Sequence, residues 1–137
     1  MEKLIGKKIE SVTIFGDYHN YILFKTDLGD VKYFADGDCC SSSFFSEIFN
    51  ADNIIGQVIK EVKDIPLEDG EAPNRGATED DNEKVYGIHI TSDKGTCTII
   101  FRNHSNGYYG GSIEETEEKL SNNKSWFVEK DWSAPSL

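Results

Sequence analysis

A chain of 137 residues is long enough for one self-sufficient core and too short for two domains of ordinary size, so a single domain over 1–137 is expected. Twelve glycines, 12% aromatic residues and only short apolar runs fit a turn-rich β fold better than a helical bundle, and no run approaches the roughly 18 apolar residues of a membrane helix. Twenty-five acidic against fourteen basic residues give a net charge of −11, which repels phosphate backbones and argues against direct nucleic-acid binding.

In chain order, the N-terminal Met1 to Gly6 lacks an apolar core of signal-peptide length. Ile9 to Phe15 is β-branched and partly alternating, and Gly16-Asp17 supplies the turn that ends a first strand. Asn20 to Thr26 predicts a second strand, which Asp27-Leu28-Gly29-Asp30 turns into Val31 to Phe34 as a hairpin. The pattern then breaks at Asp36 to Ser43, and Ser42 or Ser43 is placed to cap a short helix through Phe44 to Phe49. Val58 to Ile65 alternates with neither face cleanly apolar, as in an edge strand. From Pro66 to Asn82 the composition shifts to Pro, Gly, Asn and acids without periodicity, which predicts a flexible acidic insertion.

A further hairpin is expected from Val85 to Ile90 and Thr96 to Phe101 about Asp93-Lys94-Gly95. Ile113 to Leu120 has the acidic start and basic finish that suit a helix dipole, with a turn as the alternative. The aromatic stretch Trp126 to Trp132, within a C-terminal extension over 114–137, is expected to lie across the core or a partner subunit, and the end from Ser133 to fray.

Two stretches read alike. Leu4 to Val12 recurs as Ile54 to Val62, 50 positions on, and Phe24 to Gly29 recurs as Ile90 to Gly95, 66 positions on. An internal repeat of 4–50 and 54–113, with extra residues in the second copy, accounts for both offsets. The expected fold is mainly β, α+β at most: a compact antiparallel sheet or sandwich of two related units with one or two short helices.

Gly37-Asp38-Cys39-Cys40-Ser41 and Ser105-Asn106-Gly107-Tyr108-Tyr109, joined to the Ile-Ile-Gly strand entry between them, carry a family likeness. The chain resembles an uncharacterised group of small phage and bacterial proteins that share a domain of unknown function, over about residues 4–114. The resemblance implies a mobile-element origin and a compact β-rich fold, and carries over no catalytic residues. The acidic insertion departs from the shorter connection expected of that group.

Adjacent Cys39 and Cys40 invite a nucleophilic reading, with His104 as base and Asp36 or Asp38 as orienter, should the two motif segments meet. No thiol-hydrolase signature accompanies them, and a buried structural cysteine is the commoner role. Metal binding by Cys39, Cys40 and His104 or Cys97 is disfavoured, because neighbouring side chains of an extended chain point apart and zinc ligands are usually spaced. A vicinal redox pair would strain the peptide. His19 and His89 form no ligand pattern, and no cofactor or metal is expected.

Asn106 to Gly111 is more like a binding surface. Its glycines permit close backbone approach, and Tyr108 and Tyr109 offer flat faces with polar rims, so a planar nucleotide-like ligand is one candidate. The reading taken is a non-catalytic phage- or prophage-type binding protein in the cytoplasm of a bacterial host. It would inhibit a host or defence protein with a basic surface, and a homo-oligomer is possible. The expected contact residues are Asp36, Asp38, Cys39, Cys40, Ser41, His104, Asn106, Tyr108 and Tyr109. A small-ligand sequestering protein and a Cys-dependent hydrolase are the alternatives.

Overall fold

A computed structural model of the protein describes residues 1–37, 42–66, 82–105, 111–119 and 124–134. The strands are β1 (Ile9–Phe15), β2 (Tyr21–Thr26), β3 (Gly29–Gly37), β4 (Ser42–Phe49), β5 (Glu61–Pro66), β6 (Asn82–Thr91), β7 (Thr96–Ser105), β8 (Gly111–Glu115), β9 (Ser125–Val128) and β10 (Trp132–Ser133). Three-residue 3-10 turns at Glu2–Leu4 and Ala51–Asn53 are the helical elements among the described residues. The strands make two five-stranded sheets, ordered β8-β3-β2-β1-β9 and β10-β4-β7-β6-β5, antiparallel throughout. The mainly β, two-sheet fold expected from composition is what the chain adopts.

Alternation explains why these runs are strands. Ile22 and Phe24 on β2, Val31, Tyr33 and Ala35 on β3, Ile88 and Ile90 on β6, and Cys97, Ile99 and Phe101 on β7 all join one buried cluster. That cluster takes side chains from both sheets, so each sheet buries one face against the other. His89 lies between Ile88 and Ile90 on the opposite face and is half-buried, as a strand residue of period two should be.

Two strands break the period with a bulge. On β1, Ile9 and then Val12 and Ile14 face the core, and the register shift between Ile9 and Ser11 supplies the extra residue that permits it. On β4, Phe45 and Ile48 face the core with a register shift between Phe45 and Glu47. A bulge thus spaces the inward residues three apart, which imitates helical periodicity, and the helix expected over Phe44 to Phe49 is instead a strand. The helix expected from Ile113 is also replaced. Ile113–Glu115 complete β8 on the edge of β3, where cross-strand hydrogen bonds satisfy backbone that a short isolated helix would leave marginal.

Connectivity crosses between the sheets three times. β1, β2 and β3 are neighbours, yet the next strand, β4, pairs with β7; β5, β6 and β7 are neighbours, yet β8 pairs back with β3; and β9, on β1, is followed by β10, on β4. Near the strand entries, backbone bonds come in pairs whose members stand 50 residues apart. Gly6 N–H donates to the Ile59 carbonyl at 2.8 Å and Gly56 N–H to that of Ile9 at 2.6 Å. Ile9 N–H donates to the Gln57 carbonyl and Ile59 N–H to that of Lys7, both at 3.0 Å. Lys8 and Val58, themselves 50 apart, form the antiparallel bridge between them. Gly6 and Gly56 have φ of +84° and +80° with open space where a Cβ would be, so it is the left-handed backbone that calls for glycine.

β5 is an edge strand, with Glu61, Lys63 and Asp64 exposed and Pro66 at its end, all features that blunt pairing with other chains. The C-terminal aromatic stretch is tied to both sheets, β9 pairing with β1 and β10 with β4. Trp126 and Trp132 pack against the core, Val128 is buried within it, and Phe127 points outward. The acidic insertion over 66–82 lies outside the described residues except at Pro66 and Asn82, which belong to β5 and β6.

Candidate functional site

The crossings from β3 to β4 and from β7 to β8 leave and land at one end of the sandwich. Gly37 pairs with Gly111 and Asp36 with Ser112, so the end of β3 stands beside the start of β8. Ser42 pairs with His104, which pairs on its other side with Glu83, and Ser105 pairs with Asn82. The residues bounding 38–41 and 106–110 are therefore hydrogen-bonded neighbours in both sheets, and Asn82, which succeeds 67–81, joins the same end. Of the expected contact residues, Asp36 is half-buried on β3 and His104 lies on β7, in different sheets. Asp38, Cys39, Cys40, Ser41, Asn106, Tyr108 and Tyr109 lie outside the described residues.

Beneath this end sits a buried polar layer that strand patterning and motifs did not single out. Asn103 Nδ2 donates to Ser43 Oγ at 2.8 Å across the β4–β7 ladder, one rung below Ser42 and His104. One rung further, Arg102 sends Nε to Ser46 Oγ at 3.0 Å and Nη2 to Glu47 Oε1 at 3.3 Å, and Ser46 Oγ also donates to the Glu47 carboxylate. The Arg102 and Glu47 side chains are 3% and 2% exposed, so the charges are held by each other and by the serine hydroxyl in a low-dielectric setting. The β4 bulge puts Ser46 and Glu47 side by side within reach of Arg102. Charged residues embedded in the aromatic run Phe44–Phe49 and directly after Thr98–Phe101 were the available signal, since a charge in a buried run needs a partner.

His19, with φ of +53°, is 3% exposed, its ring 4.4 Å from that of Trp126 and 5.9 Å from that of Trp132. Its carbonyl accepts from Phe45 N–H at 2.8 Å, which joins the β1–β2 turn to β4. This is a packing role linking the two sheets. Cys97, the cysteine among the described residues, is fully buried in the core, and burial, with Asp52 and Asp131 adding to it, pushes its thiol up to about 12. A thiol so placed is held protonated at neutral pH and is a poor nucleophile or metal ligand. Among the described residues no group of three His, Cys, Asp or Glu side chains could hold a metal ion, and no helix is long and apolar enough to cross a membrane.

The two sheets define a β-sandwich domain in which the end of β3 stands beside the start of β8 and the start of β4 beside the end of β7. The chain belongs to the family described as Domain of unknown function (DUF7448), whose model matches residues 2–114. That span includes β1 to β7 and most of β8, and leaves β9 and β10 outside it. The chain is similar to an uncharacterized protein of Acanthamoeba polyphaga mimivirus, with 37% identity over 99 residues that cover 68% of this chain and 73% of that protein. No solved structure matches the chain.

Proposed function

We propose that the protein is a non-catalytic binding domain that occupies a partner protein with a basic face, using the end of the sandwich where β3 and β7 end and β4 and β8 begin. The observation that carries this reading is the double pairing of Gly37 with Gly111 and of Ser42 with His104. It anchors the ends of the segments 38–41 and 106–110 side by side on rigid strands, the arrangement in which loops gain a fixed recognition geometry. The net charge of −11 supports a basic partner, because opposite potentials steer encounter and set register. Similarity to a protein of a giant virus supports a role against a host component, such as an inhibitor of a host or defence protein, inside an infected cell.

The test is affinity capture of host proteins on the immobilised chain, followed by titration of the captured partner against the wild type and an Asp36→Asn, Asp38→Asn double variant. Charge-driven occupancy predicts a loss of about tenfold or more in affinity between about 0.05 and 0.5 M salt, as the screening length falls to a few Å. It also predicts a weaker complex for the double variant at low salt. Salt-independent affinity, or equal binding by the variant, would overturn the reading.

A further inference from the structure

The edge strands β5 and β8 border an open seam between the sheets, and two cavities lie along it. One, of about 390 Å3, is lined by Tyr33, Val62, Lys63, Asp64, Glu115 and Lys3 among others. The other, of about 380 Å3, is lined chiefly by Ile65, Tyr86, Ile88, Phe101 and Ile113. Both include Met1 and Asp64 in their walls, so they adjoin as a polar and an apolar half of one groove. Each volume falls within the range of small-molecule sites.

Three observations say what the groove would accept. Tyr33 is 4% exposed, yet its hydroxyl has no hydrogen-bond partner among the described residues. Buried polar groups are normally paired, so an unpaired one in a cavity wall marks a group left for an incoming partner. Burial, with Glu115 adding to it, pushes this hydroxyl up to about 12, so it remains a donor at neutral pH. The apolar half has an aromatic wall, in which Tyr86 stacks on Phe101 with centroids 4.7 Å apart and planes 13° from parallel. The rim carries balanced charge. Glu2, Asp64 and Glu115 stand with Lys3, Lys63 and the Met1 amine, and Lys3 is already ion-paired with Glu115 at 2.8 Å, so the rim favours neither an anion nor a cation.

We propose that the seam between β5 and β8 binds an uncharged planar heterocycle of the nucleobase or nucleoside type. Its polar edge meets the Tyr33 hydroxyl, and its ring lies in the half bounded by Tyr86, Phe101 and Ile113. This site is on the open edge of the sandwich and does not rest on the partner-binding reading above.

The experiment is calorimetric titration of the full chain with adenosine, guanosine, cytidine and uridine. Saturable binding of at least one nucleoside is expected. Tyr33→Phe, which keeps the ring, should weaken binding by about fivefold or more, as expected for losing one buried hydrogen bond to the ligand. Ile113→Trp, which fills the apolar half, should abolish it. Melting curves establish that both variants are folded, and where one is not, the other carries the test. The proposal is overturned if no nucleoside binds up to about 5 mM, the weak end of specific affinity. Equal binding by a folded Tyr33→Phe or Ile113→Trp overturns it as well.

Discussion

Arg102 on β7 and Glu47 on β4 face each other at 3.3 Å, 55 residues apart in the chain and all but sealed from solvent. Removing water from two charges costs several kcal/mol each, and their attraction with the Ser46 hydrogen bond offsets that cost only while all three groups are present. Arg102→Met alone, or Glu47→Leu alone, should therefore destabilise the fold by about 3–5 kcal/mol, because each removes the opposite charge that faces a buried ion. The double variant should recover most of that loss. Denaturant unfolding of the four proteins in a double-mutant cycle reads the coupling directly, and additive single losses would contradict it.

Gly6 and Gly56 provide a different kind of check. Both have left-handed φ and no atom within 4 Å of where a Cβ would stand, so alanine meets a backbone penalty and no clash. Gly6→Ala and Gly56→Ala should each cost about 1–2 kcal/mol and agree closely with one another, since the same conformation is strained at both. The bonds at risk are also equivalent, Gly6 N–H to the Ile59 carbonyl and Gly56 N–H to that of Ile9. Melting temperatures of the two variants test this, and a loss confined to one site would show that the two turns are held by unlike forces.

The hairpins β2–β3 and β6–β7 were legible in the sequence because short β-prone runs and a Gly-containing turn act locally. Gly29 and Gly95, with positive φ, sit at those turns, and the Thr26 and Ser92 hydroxyls each accept from the backbone N–H two residues on. β4 was not legible. Its bulge changes which residues face inward, and nothing in Phe44–Phe49 alone distinguishes a bulged strand from one turn of helix. The polar groups at issue were hidden for another reason. Arg102 meets Glu47, and Tyr33 pairs with Glu115, only after distant strands have assembled, and a single sequence carries no trace of such pairing. The two motif segments lie outside the described residues, and what the structure shows of that end is Gly37, which precedes one, paired with Gly111, which follows the other.

Alkaline pH offers the last check, because two buried groups titrate upward for the same cause. Cys97 is raised from 9.0 to about 12 and Tyr33 from 10.0 to about 12, burial being the first cause of each. A group whose pKa is higher in the folded state contributes stability that is whole below its unfolded pKa and is lost as pH climbs to the folded one. Unfolding free energy should thus fall from about pH 9 to pH 12, with Cys97 supplying on the order of 3 kcal/mol and Tyr33 acting only above pH 10. Cys97→Ala should flatten the limb from pH 9 upward while opening a small core cavity, whereas Tyr33→Phe should leave pH 9–10 untouched and flatten only the limb above pH 10. Denaturant midpoints measured at half-unit steps separate the two. An unchanged alkaline slope in Cys97→Ala would mean that the thiol ionises as readily in the fold as outside it, contrary to its position among Ile90, Ile99 and Ile54 in the buried cluster.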